Sequence, residues 1–291
     1  MKRMQGVQNS ATHFLGKLKY LFRKFAFAVL SAGPIPTHIA FIMDGNRRFA
    51  RKNNLKDGSG HRVGFLALML MLRYCYELGV KYVTAYAFSV DNFNRDPEEV
   101  KYVMDLMVEK IEELLKEESI VNSYGVRLHF IGNLKLLSEK ARAAAEKAMA
   151  ATAKNNNVVL LICVAYSSTD EILNAVQESY NEKLRTLQEL NSNGSNDNQI
   201  KVDCNEKDLE CAVKLSDLER LMYMSVCPDP DILVRTSGAN RLSNFLLWQS
   251  THTYLYSPVA LWPEISFWHL IWMVLSFQRV QHKLEKKRKQ L

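Results

Sequence analysis

Short apolar runs alternate along most of this chain with longer stretches in which apolar side chains recur every three to four positions. His38 to Met43, Tyr82 to Phe88, Val126 to Ile131, Val158 to Val164 and Ile232 to Arg235 are short, apolar and rich in β-forming residues, and read as strands. The stretches from about Val63 to Leu78, Pro97 to Glu118, Ser138 to Lys154 and Ser168 to Leu190 carry the helical period. Helices interleaved with such strands predict an α/β fold, a mainly parallel sheet flanked by helices on both faces. Ligands then gather where the strands end, so the residues just after each strand are the ones to inspect for chemistry.

The first thirty residues have a different pattern. Phe14, Leu15, Leu18, Leu21, Phe22, Phe25 and Val29 recur at helical spacing, with His13, Lys17 and Lys24 on the other side, which predicts an amphipathic helix over roughly 1–33. Arg23 and Lys24 interrupt the apolar stretch, so it is too short for a signal core or a bilayer crossing. Such a helix either lies on an anionic membrane surface or packs on the domain that follows. Gly33-Pro34-Ile35-Pro36 punctuates the chain, and a single domain is expected from 34 to 291. Within it the Asn-, Ser- and Gly-rich stretch near 191–205 has no periodicity and reads as a mobile surface insertion.

Composition narrows the partners. A length of 291 residues, 47% of them hydrophobic, suffices for one well-buried domain, and a net charge of +7 favours anionic partners without choosing between phosphates, acidic lipids and nucleic acid. Cys75, Cys163, Cys204, Cys211 and Cys227 lack the paired short spacing of a zinc site and are odd in number, so reduced thiols are expected. Asn193-Gly194-Ser195 forms a glycosylation triplet within the polar insertion and is expected to be unused.

The strand ends carry a consistent chemistry. After the first strand come Asp44, Gly45, Asn46, Arg47 and Arg48, with His61 a short loop further on. Glycine lets backbone N–H groups approach a ligand, arginine grips phosphate oxygens in a fork, and a carboxylate can hold a Mg²⁺ that bridges a diphosphate. Standing alone, the same residues could be a strand-to-helix turn capped by Asp44. The second strand ends in Ser89, Asn92 and Arg95, and the last in Arg235-Thr236-Ser237-Gly238, followed by Arg241 and Ser243. Each arginine could be a surface residue paired with a carboxylate, but three such clusters at strand ends suit two separate diphosphates. Gly58-Ser59-Gly60 lacks the spacing and the lysine of a nucleotide loop. Nor do the basic residues form the continuous face expected of a nucleic-acid binder.

From about Pro34 to Trp272 the chain resembles the cis-prenyltransferases, the undecaprenyl and dehydrodolichyl diphosphate synthases. The likeness rests on His38-Ile39-Ala40-Phe41-Ile42-Met43-Asp44-Gly45-Asn46, Ala87-Phe88-Ser89 through Arg95, Arg235-Thr236-Ser237-Gly238, Arg241 through Gln249, and Leu261-Trp262-Pro263-Glu264. The resemblance implies catalysis at Asp44, Ser89 and Asn92, with Asp44 holding Mg²⁺. It places Gly45, Asn46, Arg47, Arg48, His61 and Arg95 around a farnesyl-type allylic diphosphate, and Arg235, Arg241 and Ser243 on isopentenyl diphosphate. The implied reaction is repeated cis addition of isopentenyl units to give a long polyprenyl diphosphate, of dolichol or rubber type. Either the diphosphate oxygens or Asn92 would assist loss of the C2 proton. The apolar segments Phe65 to Leu72, Tyr102 to Leu115 and Val158 to Val164 would line a product tunnel or simply form core. No Asp-Asp-x-x-Asp cluster of the trans-type enzymes occurs.

The pattern departs from single-subunit bacterial members at four places. Tyr254 stands where they have a second metal-binding Glu, Ala239 follows Arg-Thr-Ser-Gly in place of Glu, Asp57 replaces an upstream Arg, and the run Lys283 to Leu291 is basic without an Arg-x-Gly motif. These departures resemble the eukaryotic, plant-like dehydrodolichyl type. They imply a heteromer in which a Nogo-B-receptor-like subunit supplies the Arg-x-Gly tail, on the cytosolic face of the endoplasmic reticulum membrane. A non-catalytic partner of the same fold is the alternative, disfavoured because Asp44-Gly45-Asn46 and Arg235-Thr236-Ser237-Gly238 are both intact. The basic run at 283–291 fits a solvated helix end or a lipid-facing patch equally well.

Overall fold

Every neighbouring pair in the central sheet is parallel. The computed structural model describes residues 16–18, 20–56, 58–192 and 213–290, and its six strands lie in the order β3-β4-β2-β1-β5-β6. They are β1 (His38–Ile42), β2 (Tyr82–Ser89), β3 (Val126–Ile131), β4 (Val158–Tyr166), β5 (Ile232–Arg235) and β6 (Tyr254–Tyr256). Among the described residues the helices are α1 (20–30), α2 (Asn46–Lys52), α3 (Ser59–Leu78), α4 (Pro97–Leu114), α5 (Ile120–Tyr124), α6 (Glu139–Ala151), α7 (Ser168–Ser192), α8 (Leu215–Leu221) and α9 (Phe267–Arg288).

All five residues of β1 are buried because the sheet is covered on both faces. Ile39 and Phe41 point into the larger core with side chains of α3, α4, α6 and α9. Ala40 and Ile42 point into a second core containing Cys163, Tyr166, Met224 and Phe245. The chain leaves β1 towards β2 on one side and returns to pair β5 on the other, so the direction of winding reverses at β1. A crevice opens at such a reversal, beyond the carboxyl ends of the strands, and Asp44 follows β1 there.

The α/β class and all five anticipated strands are present, with differences at the ends. The helical pattern that runs to Glu118 breaks after Leu114, and α5 restarts behind Ser119, whose hydroxyl accepts from Asn122 N. Helix α7 continues to Ser192, so the first two positions of the expected insertion are helical. The rest of that insertion, with Asn193, Cys204 and Cys211, lies outside the described residues, as do His13, Phe14, Leu15 and Asp57. Cys75, Cys163 and Cys227 are free thiols. Strand β6 has too few residues for a period-2 signal and exists through its pairing with β5. Helix α9 buries Leu270, Met273, Val274 and Phe277 while exposing Trp268 and Trp272, which blurs its apolar period.

Candidate active site

The turn after β1 is built around one glycine. Gly45 has φ +116°, and an added Cβ would sit 3.0 Å from the backbone of Leu261, so a side chain there meets both strain and crowding. The carbonyl of Asp44 accepts hydrogen bonds from Thr236 Oγ1 (2.7 Å) and Trp262 N (2.9 Å), tying the turn to two distant segments. This leaves the carboxylate facing the crevice, where Arg235 Nη2 donates to Oδ2 (2.8 Å) and Arg48 Nη2 to Oδ1 (3.2 Å). Burial works to raise the Asp44 pKa, but hydrogen bonds from Arg235 and Ser237, with the charges of Arg235 and Arg48, outweigh it and hold the carboxyl below its usual range. Asp44 is therefore ionised at neutral pH.

Arg235, at the end of β5, is only 6% exposed. Its Nη1 donates to Arg241 O (2.9 Å) and Ser243 Oγ (2.6 Å), so one guanidinium joins Asp44 to the loop after β5, and its Nε is buried without a partner. That loop holds Ser237, Ser243, Asn244 and Leu246 at positive φ. Left-handed backbone at such residues costs about 1 kcal/mol or more each and persists only where surroundings enforce it. Phe245 and Leu246 are fully buried, and Ser168 Oγ accepts from Leu247 N (2.9 Å). Glu171 anchors the far end, accepting from Tyr166 Oη (2.6 Å), Met224 N (2.8 Å) and Gln249 Nε2 (3.1 Å). Its burial raises its pKa.

The third cluster follows β2. Ser89 Oγ accepts from Asp91 N (3.2 Å), and Asn92 Oδ1 accepts from Ser89 N (3.1 Å), which fixes both side chains in one tight turn. Arg95 Nη1 pairs with Glu99 at 2.9 Å, with Arg47 3.8 Å from the same carboxylate. Burial first, and then the positive charge of Arg95 and Arg47, lowers the pKa of His61, leaving a neutral imidazole beside the arginines.

These clusters meet in one cavity of about 680 Å³ with two chemically distinct ends. Asp44, Asn46, Arg47, His61, Ser89, Asn92, Arg95, Arg235, Arg241 and Ser243 line the polar end. Phe65, Leu68, Met69, Val103, Leu106, Met107, Ile111, Leu114 and Leu160 line the other, so the three apolar segments flagged in the sequence contribute a tunnel wall as well as core. Gly45 and Arg48 line an adjoining cavity of about 430 Å³ with Arg51, His61 and Arg95. Every site residue expected from the sequence thus borders one of these two spaces.

Tyr254 does not. It opens β6, paired with Ile232 at the start of β5, and packs on the larger core, whereas the cavity lies beyond Arg235 at the other end of that strand. A carboxylate at this position would not reach the cavity of its own chain. Two lining residues carried no sequence signal. Tyr86 reads as an ordinary strand aromatic, yet its hydroxyl donates to Tyr166 O (3.1 Å), its ring stacks on Phe245 at 4.3 Å, and burial pushes its pKa up to about 12. Lys110 brings a cation to the apolar end, over the Phe65 ring and paired with Glu113 at 2.7 Å.

Among the described residues no three His, Cys, Asp or Glu side chains converge on a metal-sized site, so a cage made by protein alone does not fit. Mg²⁺ that arrives with a diphosphate needs less: one or two carboxylates, with phosphate oxygens and waters completing the octahedron. The ionised Asp44, with Asp91 on the same cavity, meets that requirement.

The family model described as "Putative undecaprenyl diphosphate synthase" matches residues 42–285. The chain is 58% identical to a dehydrodolichyl diphosphate synthase of Solanum lycopersicum over 99% of its own length and all of the relative's. It is 53% identical to a rubber cis-polyprenyltransferase of Hevea brasiliensis over the full length of both. A Homo sapiens protein described as a dehydrodolichyl diphosphate synthase complex subunit is 39% identical over 92% of this chain and 74% of its own. Among solved structures, lavandulyl diphosphate synthase from Lavandula x intermedia, in complex with dimethylallyl diphosphate, superposes with a TM-score of 0.68 at 26% identity, covering 84% of this chain and 95% of that one.

Proposed function

Because the chain belongs to the undecaprenyl diphosphate synthase family of cis-prenyltransferases, we propose that it elongates a farnesyl-type allylic diphosphate with isopentenyl diphosphate, giving a long polyprenyl diphosphate of the dehydrodolichyl type. The observation that carries this reading is the two-ended cavity: an ionised Asp44 among arginines at one end, apolar side chains at the other.

The residues divide the work as the chemistry requires. The allylic diphosphate must leave while positive charge builds on carbon, and Arg47, Arg48, Arg95 and the N–H groups of the Gly45-Asn46 turn stabilise the charge that develops on it. Isopentenyl diphosphate must keep its own diphosphate, which Arg241 and Ser243 grip at the cavity edge, with Arg235 behind them. Mg²⁺ held by Asp44 on the diphosphates would supply further neutralisation of the leaving group. The Oδ1 of Asn92 is committed to Ser89 N, which favours a diphosphate oxygen over Asn92 as acceptor of the C2 proton. The growing chain then enters the apolar end.

We further place the chain in a heteromer, peripheral on the cytosolic face of the endoplasmic reticulum membrane. Among the described residues no helix is long and apolar enough to cross a bilayer. Helix α7 exposes Leu173, Val176, Tyr180 and Leu184 along one side, a face suited to a Nogo-B-receptor-like subunit carrying an Arg-x-Gly tail. The similarity to both a dehydrodolichyl and a rubber synthase leaves product length to experiment.

The test is incubation with farnesyl diphosphate, labelled isopentenyl diphosphate and Mg²⁺, with candidate partner present, followed by sizing of the products. Expected are products lengthened in five-carbon steps, lost in Asp44→Ala, a variant that still folds but melts lower because buried Arg235 loses its carboxylate partner. Near-normal turnover by Asp44→Ala would remove the role given to that carboxylate, and no product from the native protein would refute the reading as a whole.

A further inference from the structure

Helix α1 packs with its apolar side outward. Its inner side is made by Phe27 and Leu30, both buried, and by Arg23, which pairs with Glu77 of α3. Its outer side carries Leu21, Phe22, Phe25 and Val29, spaced to fall on one face, with Phe25 68% exposed. A soluble helix normally turns such a face to the core. The apolar surface does not end with α1. The Phe22 ring lies 5.7 Å from Trp268 of α9, and Trp268 and Trp272, one helical turn apart, are 58% and 57% exposed.

The rest of α9 states what the surface faces. Continuing from Trp268 and Trp272 at helical spacing, the same face of α9 carries Arg279, Lys283 and Lys286, all exposed. Lys24 flanks the apolar side of α1. Aromatic rings beside basic side chains are the pattern that binds the boundary between acyl chains and anionic headgroups. A protein interface would deplete lysine around its aromatic anchors.

We propose that the joint face of α1 and α9, centred on Phe22, Phe25, Trp268 and Trp272, docks on an anionic lipid bilayer, with Lys24, Arg279, Lys283 and Lys286 on the headgroups. The placement has a use under the function proposed above. Helix α3, on which α1 rests through Glu77, lines the apolar end of the cavity with Phe65, Leu68 and Met69 while exposing Leu66 and Leu70 on its outer side. Helix α3 therefore lies between the apolar end of the cavity and the docked helix α1.

Vesicle binding by the full chain tests this without any prenyl diphosphate, so failure of docking would leave the activity reading standing. With vesicles of phosphatidylcholine and phosphatidylserine, the native protein should co-sediment and its tryptophan emission should shift to the blue, and pure phosphatidylcholine should bind it more weakly. Trp268→Ser/Trp272→Ser should bind at least about tenfold less, since two indoles then stay in water. Lys283→Glu/Lys286→Glu, which removes no packing, should lose the preference for phosphatidylserine. Both variants should keep native turnover of short substrates in detergent. Absence of vesicle binding by the native chain, or undiminished binding by both variants, would overturn the proposal. So would native self-association in sedimentation velocity that the tryptophan variant abolishes, because the face would then join two copies.

Discussion

Arg235 and Arg241 stand six residues apart and have opposite environments. Arg235 is buried with both terminal nitrogens bound inside the protein, whereas Arg241 is exposed at the cavity edge. Arg241→Ala should therefore act on substrate alone: a lost charge-assisted phosphate contact of about 1.5–3 kcal/mol raises the KM for isopentenyl diphosphate roughly tenfold or more at unchanged melting temperature. Steady-state kinetics varying each substrate in turn checks this, and a rise confined to the allylic KM would mean the two subsites are exchanged. His38 gives a second expectation, about stability. Its ring lies between Pro228 O and Thr84 Oγ1, each at 2.7 Å, and burial lowers its pKa from 6.5 to about 4. A depressed pKa means that the native state resists protonation, so the contribution is whole above pH 6.5 and fades as pH falls towards 4. Urea unfolding should show roughly 2 kcal/mol lost between pH 7 and pH 5 through this group. His38→Gln should flatten that slope. An equal slope in the variant would assign the acid sensitivity elsewhere.

At the scale of elements, the position of the turn after β1 depends on how closely α2 and α3 approach. A Cβ on Gly60 would run into the carbonyl oxygen of Asn46, and one on Gly64 into Asn46 Oδ1, so the first turns of α3 press directly on the residue after Gly45. Gly60→Ala keeps a good helix former in α3 but must push Asn46, and with it Asp44, out of place. Overpacking of this kind costs about 1–3 kcal/mol of stability, and a displacement near 1 Å costs on the order of a hundredfold in turnover. The expected result is an enzyme that folds with a slightly lower melting temperature and has lost most of its kcat. Native kcat in a folded Gly60→Ala protein would show that the turn is set by its bonds to Thr236 and Trp262 instead.

For the whole molecule the question is what completes the site. Asp44 and Asp91 are the carboxylates on the main cavity, and position 254 cannot add one from the same chain. Weak holding of the leaving diphosphate is costly, since each ~1.4 kcal/mol of transition-state stabilisation is tenfold in rate. The isolated chain should accordingly turn over slowly, and mixing with a Nogo-B-receptor-like subunit should raise both the rate and the apparent affinity for isopentenyl diphosphate. Leu173→Glu/Tyr180→Glu on the exposed face of α7 should abolish that gain while leaving the basal rate unchanged. Full activity of the lone chain would refute the heteromer.

The sequence alone was enough for the α/β class, for five of the six strands and for an expectation of which residues border the cavity. Apolar periodicity is a local property, and a parallel sheet places its chemistry just after its strands, so Asp44, Ser89, Asn92, Arg95, Arg235 and Arg241 could be read in order along the chain. Tertiary structure decided what depends on distance. It made Arg235 an internal bridge to Asp44, because residues 191 apart in the chain stand at the ends of strands that are neighbours in the sheet. It brought Tyr86 to the cavity and kept Tyr254 away, since the register of β6 is set by pairing and not by its own pattern. It also turned the apolar face of α1 outward: amphipathicity shows that a helix has two sides, but only packing against α3 and α9 fixes which side meets the protein.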